Sequence, residues 1–433
     1  MPRSTHLIRS ALAVLAFAFV AGCAPRVDPV DAVAERYVKL VLQFGRHDAD
    51  EVDSYYGPPE WRTEAERDSL PVERIVAVAD SLRGVIAHLP RAATPLARGR
   101  VHALDRQLAS LAARARIVGG AQLPFDDESR ALYDVVAPPV SDSALARVVA
   151  RLDSLLPGTG PLADRYQVFR KQLEVPPAKL DAVFHAAIDE ARRRTRAHVA
   201  LPDSESFAVA LVTGKSWGGY NWYEGRYHSR IEVNTDLPTR IDRAIDLACH
   251  EGYPGHHVYN VLLEQQLVRG RGWKEFTILP LYSPQALIGE GTAVVAPDIV
   301  FPGAERVAFE KRVLYPIAGI DTSLADRFAR VDAAMRQLAG AGVEWTRRFV
   351  DGRMTDDDAV RWQVTYELQS AERARHALAF ARQYRSYIVN YSVGEQLVRQ
   401  WLARHGGGPE APAKRWQLYT SLLAAPVTPE DLR

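Results

Sequence analysis

Residues 241–257 read Ile-Asp-Arg-Ala-Ile-Asp-Leu-Ala-Cys-His-Glu-Gly-Tyr-Pro-Gly-His-His, an apolar run that ends in one glutamate and three histidines. Apolar residues occupy nearly every face of a helix drawn over 241–249, and such a helix is usually buried. Burying unpaired polar side chains costs several kcal/mol, whereas metal ligation satisfies them. The stretch therefore predicts a buried helix that carries a metal site.

The spacing of the histidines departs from the usual zinc motif His-Glu-x-x-His, whose two histidines share one face of a helix. Pro254 takes the place of the second histidine, and on a regular helix His256 lies about 120° away from His250. Pro254 removes a backbone donor, and Gly255 allows unusual dihedral angles. We therefore expect a locally expanded turn that returns His256 to the side of His250. His257 is expected to support the ligands or to be the alternative ligand.

A catalytic zinc site also needs a third protein ligand and an open position for water. The best candidate downstream is Glu290, a single carboxylate in the apolar stretch 286–293. Taken alone, Glu290 could equally form a buried ion pair or a helix cap. Together with the histidine cluster it favours a metal site.

Three segments of the chain resemble the bacterial family called domain of unknown function 885. They are Gly-Gly-Tyr-Asn-Trp-Tyr at 218–223, Ile-Glu-Val-Asn-Thr at 231–235 and the His-Glu-x-x-Pro-Gly-His-His segment at 250–257. Members of this family are often secreted or lipid-anchored and are regarded as zinc metallopeptidases related to the gluzincins. The resemblance covers most of the mature chain.

The resemblance implies zinc as the cofactor, Glu251 as the general base, and three ligands: His250, His256 and Glu290. The chain departs from the family near the last of these. Thr292 stands where the family usually has Trp, and Pro297 stands where it often has a second Glu. This difference affects the surroundings of the ligand and the substrate pocket, while the ligand itself is present.

The implied mechanism is hydrolysis of a peptide bond by a metal-bound water that Glu251 activates. Zinc lowers the pKa of such a water toward about 7 and polarises the carbonyl, and Glu251 passes the proton to the leaving amine. Tyr387 and Tyr391, in a segment that also resembles the family, are candidate donors to the oxyanion, with Tyr391 preferred. The strand 230–235 is expected to pair with an extended peptide substrate.

Two other functions are open at this stage. Gly-Lys-Ser-Trp-Gly at 214–218 fits a serine hydrolase with Ser216 as the nucleophile, and residues 405–408 mimic an oxyanion loop. The order of these elements and the missing βα alternation argue against that enzyme. The second alternative is a lipoprotein that binds metal or peptide without catalysis. Such a protein has no use for Glu251 beside the histidines.

The N-terminus resembles the export signal of a bacterial lipoprotein. A basic start is followed by an apolar run over 11–21, which is too short to span a bilayer. The run ends in Val-Ala-Gly-Cys at 20–23, a sequence at which cleavage leaves Cys23 as a lipidated first residue. An ordinary secretory signal is the alternative.

We therefore predict a signal peptide over 1–22, then a lipidated N-terminus and linker over 23–34. The membrane attachment is expected through lipid alone. Ala24 follows the lipidated cysteine, which in diderm bacteria favours the outer membrane, facing the periplasm. Within the predicted linker, Asp28-Pro29 is a plausible start of the first helix.

The composition of the 433-residue chain is that of a globular protein, with 47% hydrophobic and 25% charged residues. These proportions exclude a mainly disordered chain and a membrane protein with many spans. The formal net charge of +1 gives no field that would attract nucleic acid. With only two cysteines, Cys23 and Cys249, neither a disulfide framework nor a cysteine-based zinc cluster can form.

Helical periodicity dominates the chain, and the fold is predicted as mainly α. We expect one large, helical, zincin-like domain over 35–433, with a small sheet or hairpin beside the site helix. Its expected parts are a helical segment over 35–204, the strands and metal-site core over 205–300, and a second helical segment over 304–430.

Overall fold

The structure is a computed structural model, and it describes residues 28–215, 217–236 and 238–433. It is mainly α with small sheets, which confirms the predicted fold class. The predicted signal peptide and the Cys23 lipidation site lie outside the described residues. No described helix combines the length and the apolar character needed to cross a membrane.

Residues 28–205, all of them described, form helices and one short strand. Prolines 90, 124, 138, 139 and 157 fall outside the helices, as their breaking effect predicts. The elements are α1 (Pro29–Phe44), β1 (Val52–Tyr55), α2 (Pro59–Arg67), α3 (Val72–Ala87), α4 (Pro95–Val118), α5 (Phe125–Tyr133), α6 (Asp142–Leu155), α7 (Leu162–Lys171) and α8 (Leu180–Arg196).

The first helix begins where the sequence indicates. Asp28 caps α1 by accepting a hydrogen bond from the Val30 amide at 2.9 Å, and Pro29 takes the first helical position. The linker predicted to reach residue 34 is therefore wrong beyond residue 28. The predicted helical segment is also interrupted by β1, a short strand that the sequence pattern did not indicate.

The middle of the chain carries the sheet and the site helix. Its elements are β2 (Ser206–Val212), β3 (Gly219–Gly225), β4 (His228–Asn234), α9 (Ile241–Leu247), α10 (His256–Leu263), β5 (Ile278–Pro280) and α11 (Pro284–Val300). The remaining helices are α12 (Ala304–Phe309), α13 (Tyr315–Ala318), α14 (Leu324–Met335), α15 (Ala339–Val350), α16 (Asp356–Tyr366), α17 (Ala371–Tyr384), α18 (Val389–Arg404) and α19 (Pro412–Leu423).

Strands β2 and β4 pair in parallel, and β3 completes a three-stranded sheet. The strand order is β2-β4-β3, with β4 antiparallel to β3 and joined to it by a tight turn. Both turn residues, Arg226 and Tyr227, have positive φ, as a two-residue hairpin requires. Because β4 lies between two strands, residues 230–235 cannot pair with a substrate, and that prediction is wrong. The edge beside the site belongs to β3. Among the described residues it is free at its Gly219 end, whereas at the other end the Tyr223 carbonyl accepts a hydrogen bond from the Ser54 hydroxyl at 2.8 Å.

Helices α1–α4 and Ile278 of β5 form a hydrophobic cluster distinct from the main core, which runs from α5 to the C-terminus. The antiparallel pairing of β1 with β5 joins this N-terminal cluster to the rest of the chain. Strand β1 also brings the carboxylate of Asp53 into the neighbourhood of the histidines.

Candidate metal centre

The site helix contains the expanded turn that the sequence predicts. Helix α9 widens into a π-helical turn over Ala248–Gly252, and α10 starts at His256. The Tyr253 amide bonds to the Ala248 carbonyl at 2.9 Å, five residues back, as in a π-helix. The extra residue rotates the chain so that His256 returns to the side of His250, which confirms the expectation.

Gly255 closes this turn, and its lack of a side chain is a structural requirement. A Cβ atom at this position would lie 1.9 Å from the carbonyl oxygen of His250 and 2.4 Å from that of Cys249. Instead, the Gly255 amide donates to the Cys249 carbonyl at 2.8 Å. The close backbone contact draws the start of α10 back over the π-helical turn.

The donor atoms of His250, His256 and Glu290 converge on one point. The Nε2 atoms of the two histidines are 3.2 Å apart. Oε2 of Glu290 lies 3.4 Å from Nε2 of His250 and 3.8 Å from Nε2 of His256. Ligands at about 2.0–2.1 Å from a tetrahedral zinc lie about 3.3 Å from one another. The three side chains, all predicted from the sequence, therefore fit a zinc ion.

The hydrogen bonding of these groups points to the same ion. Oε2 of Glu290 is buried and faces the two imidazole nitrogens at 3.4 and 3.8 Å, without a hydrogen bond of ordinary length from the described residues. A buried carboxylate oxygen without such a bond is costly. The two imidazoles can share at most one proton between their facing nitrogens. A cation bound between the three atoms would satisfy all of them.

Two glycines bring Glu290 to its supporting tyrosine. At the crossing of α11 and α18, a Cβ on Gly291 would lie 2.5 Å from the backbone of Gly394, so only glycine allows the helices to approach this closely. The turn before α18 then places Tyr387, whose hydroxyl donates to Oε1 of Glu290 at 3.0 Å. Such a bond orients a carboxylate ligand and leaves its other oxygen free.

Tyr387 therefore has a defined contact with the site, whereas Tyr391, the preferred oxyanion donor, lies one helical turn further on. The two rings meet edge to face with centroids 5.8 Å apart. Burial and the charges of Glu290 and Glu251 raise the pKa of Tyr391, which keeps it a neutral donor close to the site. Its role in stabilising an oxyanion stays a prediction.

Glu251 lies beside the first ligand and next to the sheet edge. It is buried, and its carboxylate forms neither an ion pair nor a hydrogen bond with any described residue. A Cβ on Gly219 of β3 would lie 3.1 Å from its Oε1, and the Asn221 side chain donates to its carbonyl at 2.7 Å. The carboxylate is thus held against β3, with no partner among the described residues.

The local electrostatics favour a cation. Burial alone would lower the pKa of His256, but Glu290, Glu251 and Asp53 outweigh it and raise that pKa to about 9. Burial would raise the pKa of Glu290, yet the two histidines hold it well below its ordinary value. Three carboxylates face two imidazoles, and the excess negative charge attracts a metal ion.

His257 has a different environment, and the alternative that it binds the metal is wrong. Its Nε2 lies 3.0 Å from Oε2 of Glu205, and its Nδ1 lies 2.8 Å from the hydroxyl of Ser229. Both ring nitrogens are therefore engaged, and the side chain is completely buried. Burial lowers the pKa of His257, so the ring is neutral and donates from Nε2 to the carboxylate. His257 fastens α10 to β4 and to the segment before β2.

Sequence reasoning missed Asp53, which β1 brings toward the histidines. Tyr220 of β3 donates its hydroxyl to Oδ1 of Asp53. Burial raises the pKa of Asp53 to about 6, with His256 lowering it and Glu290 and Glu251 raising it. A lone aspartate in a segment with helical neighbours gave no signal, although Tyr220 lies in the segment that resembles the family.

Several other predicted positions are now placed. Thr292 turns its hydroxyl onto its own helix, donating to the Ile288 carbonyl at 2.8 Å. Cys249 is a buried free thiol, as expected. The Ser216 nucleophile of the alternative enzyme lies outside the described residues. His405 caps the end of α18, and its ring contacts the Trp401 carbonyl at 2.8 Å.

No protein-family model matches the chain. No curated protein matches it either. Among solved structures, the chain is similar to a candidate lipoprotein of Colwellia psychrerythraea, with a TM-score of 0.50 and 13% identity over 86% of this chain and 70% of that one. This likeness shows a shared fold.

Two further solved structures match more of this chain at lower similarity. A protein named BsuCP has a TM-score of 0.43 and 12% identity over 90% of each chain. A candidate lipoprotein of unknown function from Shewanella oneidensis has a TM-score of 0.42 and 11% identity over 92% of this chain and 80% of that one.

Proposed function

We propose that this chain is a zinc-dependent hydrolase that acts on peptides. The observation that carries the proposal is the convergence of His250, His256 and Glu290, whose donor atoms lie 3.2–3.8 Å apart. A fourth group, the Glu251 carboxylate, lies in the same π-helical turn without a partner of its own. Ligands together with an unpaired carboxylate are typical of a hydrolytic zinc site.

Zinc bound by these ligands would polarise a carbonyl and make a water more acidic. The residues of the chain would supply the remaining steps. Glu251 would accept the proton of the attacking water and pass it to the leaving amine. Tyr391, a neutral phenol beside the ligands, would donate to the developing oxyanion. Tyr387 would hold Glu290 in place through its 3.0 Å hydrogen bond.

A peptide substrate is supported by the free edge of β3. In the antiparallel pair, Tyr220 and Trp222 lie opposite Glu232 and Arg230 of β4, and the Asn234 amide bonds to the Gly218 carbonyl at 3.1 Å. Gly218, Tyr220 and Trp222 therefore direct their backbone N–H and C=O groups toward β4. The residues that alternate with them, Gly219 and Asn221, direct theirs to the opposite edge of β3. Since Gly219 adjoins Glu251, an extended peptide bound there would pass its backbone in front of the base.

The family and the location belong to the same proposal. The His-Glu-x-x-Pro-Gly-His segment with its π-helical turn, and Glu290 in its matching place, support membership of the domain of unknown function 885 family. Export as a lipoprotein with Cys23 as the lipidated residue, to the outer membrane in a diderm host, is supported by the sequence at 20–23. The similar fold of a candidate lipoprotein from Colwellia psychrerythraea agrees with it.

The test combines metal analysis with a peptide screen on the purified chain. We expect about one zinc per chain by plasma mass spectrometry, lost in His250→Ala and kept in the control His185→Ala, whose histidine is exposed on α8. Glu251→Gln should keep the zinc and lower peptide hydrolysis about 10²–10⁴-fold, because only the base is removed.

The outcomes separate the alternatives. Absence of zinc after supplying it and removing the excess would overturn the proposal. Zinc in the wild type without hydrolysis of any library peptide would instead identify a metal-binding lipoprotein without peptidase activity. Equal hydrolysis by wild type and Glu251→Gln would show that the base is misassigned.

A further inference from the structure

Four arginines lie close to one another, and one of them, Arg243, adjoins the residue before β3 at the end nearest Glu251. The candidate metal centre uses none of them. They come from three parts of the chain: Arg170 at the end of α7, Arg240 and Arg243 at the start of α9, and Arg373 in the first turn of α17. Helix α9 leads directly into the site, so this arginine cluster is connected to the histidines by one rigid element.

Hydrogen bonds between these segments fix the position of the arginine cluster. The Ile241 amide donates to the Leu173 carbonyl at 2.9 Å, which joins the start of α9 to the residues that follow α7. The Gln167 side chain of α7 donates to the Leu368 carbonyl at 2.6 Å, which joins α7 to the turn before α17. The three segments therefore meet at one junction.

The arginine cluster holds more positive charge than its neighbours neutralise. Arg170, Arg243 and Arg373 form no ion pair with the described residues. Arg240 pairs with Asp242 at 3.3 Å, but its Nε is buried and has no acceptor. Burial and the charge of Arg240 lower the pKa of Arg170 and of Arg373, which shows that the guanidinium groups repel one another.

Nearby carboxylates do not remove this excess. Asp246, one turn further along α9, is already bound by Arg306 at 2.8 Å. Arg306 in turn also pairs with Glu310 at 2.9 Å. The buried Nε of Arg240 has no acceptor among the described residues, and such a group is costly unless an acceptor binds there. The three partly or fully exposed neighbours leave room for an anion to reach it.

The arginine cluster lies within peptide reach of the proposed base. A Cβ on Gly218 would lie 3.7 Å from Nη2 of Arg243, and one on Gly219 would lie 3.1 Å from Oε1 of Glu251. Since these glycines are adjacent, the guanidinium lies no more than about 14 Å from the carboxylate. An extended chain of about four residues covers that distance.

We propose that the arginine cluster binds a carboxylate of the peptide substrate, within about four residues of the bond that is cleaved. The inference rests on the proposed function. A peptide antiparallel to β3 has its C-terminal end beside Gly219, so its free C-terminal carboxylate faces Arg243. Planar guanidinium groups bind carboxylates through paired hydrogen bonds, which gives selectivity as well as affinity. The enzyme then removes short C-terminal fragments.

The test compares three forms of one peptide that the full-length protein cleaves in detergent: free acid, C-terminal amide, and amide with a glutamate near the C-terminus. We expect amidation to lower kcat/KM about tenfold or more, the scale of a charged hydrogen bond. Arg243→Gln and Arg373→Gln should remove most of this preference, so that acid and amide are cleaved at similar rates. The control Arg91→Gln removes an exposed, unpaired arginine elsewhere and should keep the preference.

Each outcome decides the inference. Equal cleavage of acid and amide by the wild type, or a preference that survives both arginine substitutions, would overturn it. Recovery of the rate by the internal glutamate would identify a side-chain carboxylate as the source of the anion. If no peptide is cleaved, the proposed function fails, and calorimetric binding of the same peptides to wild type and Arg243→Gln still decides whether the cluster binds carboxylate.

Discussion

His256 and His257 are neighbours in sequence, yet they lie in opposite chemical environments. Nε2 of His256 faces His250 and a carboxylate oxygen of Glu290 that has no donor. Both nitrogens of His257, on the other side of the helix, are bonded to Glu205 and Ser229. We call the first region the ligand side; it consists of His250, His256 and Glu290. We call the second region the anchor side; it consists of His257 and Glu205 with their partners.

The comparison separates a structural histidine from a candidate ligand by a physical criterion. The anchor side is completely buried, whereas the ligand-side histidines keep about a fifth of their side-chain surface exposed. Among the described residues, only the anchor side satisfies its polar groups with short hydrogen bonds. Changes on the ligand side should therefore affect metal binding more than folding, whereas changes on the anchor side should do the reverse. Four predictions follow from this contrast, the largest effect first.

Gly255→Ala should damage both regions at once, because the added Cβ would collide with two backbone carbonyls and open the π-helical turn. We expect a loss of about 4 kcal/mol in the free energy of unfolding, together with loss of bound zinc. Denaturant unfolding and metal analysis measure the two effects. Gly84→Ala is the matched control: nothing lies within 4 Å of its Cβ, so it should be neutral or stabilise α3 by about 1 kcal/mol. Retention of zinc by Gly255→Ala would contradict the argument.

Glu290→Gln should act on the ligand side alone. Replacing a charged ligand by an amide is expected to weaken zinc binding by at least about 100-fold, while circular dichroism still shows a folded helical protein. Competition with a chelator measures the affinity. Glu372→Gln, at an exposed position of α17, removes the same charge without effect on the metal. Unchanged zinc affinity in Glu290→Gln would exclude this carboxylate as a ligand.

Glu205→Gln should act on the anchor side alone. Arg192, Arg196, Tyr253 and His257 all bond to this carboxylate, and its side chain is completely buried. Removing the charge leaves these donors partly unsatisfied, for an expected cost of about 3 kcal/mol in the free energy of unfolding. The variant should still bind about one zinc per chain, and loss of zinc would mean that the two regions are not separable. Glu224→Gln breaks an exposed ion pair and should cost less than about 1 kcal/mol.

The ligand side could be predicted from sequence because its signal is local. Pro254 and Gly255 break a helix at a position where an expanded turn returns His256 to His250, so the seven residues 250–256 carry the geometry. Glu290 could be proposed because a lone carboxylate in an apolar stretch needs a cation or a donor. Distant segments contribute only support to these groups.

The anchor side and the sheet order could not be predicted in the same way. Glu205 and His257 are 52 residues apart, and nothing in the sequence around either of them indicates the pair. Asp53 reaches the site through β1, a four-residue strand in a helical segment. The position of β4 between β2 and β3 depends on a parallel pairing that alternation alone does not reveal, which explains the incorrect substrate edge.

The last prediction uses acid to sharpen the contrast. Burial would raise the pKa of Glu205, but hydrogen bonds from His257, Tyr253, Arg196 and Arg192 hold it well below its ordinary value. A carboxylate whose pKa is lower in the folded state stabilises the fold above its unfolded pKa, about 4.3, and that contribution is lost as the pH falls further.

For the metal-free protein, we therefore expect the stability difference between wild type and Glu205→Gln to shrink by about 1–2 kcal/mol between pH 6 and pH 3. Urea unfolding at several pH values measures it, and Glu224→Gln should follow the wild type throughout. A constant difference would mean that the pKa of Glu205 is the same in the folded and the unfolded protein. In that case its four donors would not favour its charged form, and the anchor side would be held by packing and by hydrogen bonds that do not depend on that charge.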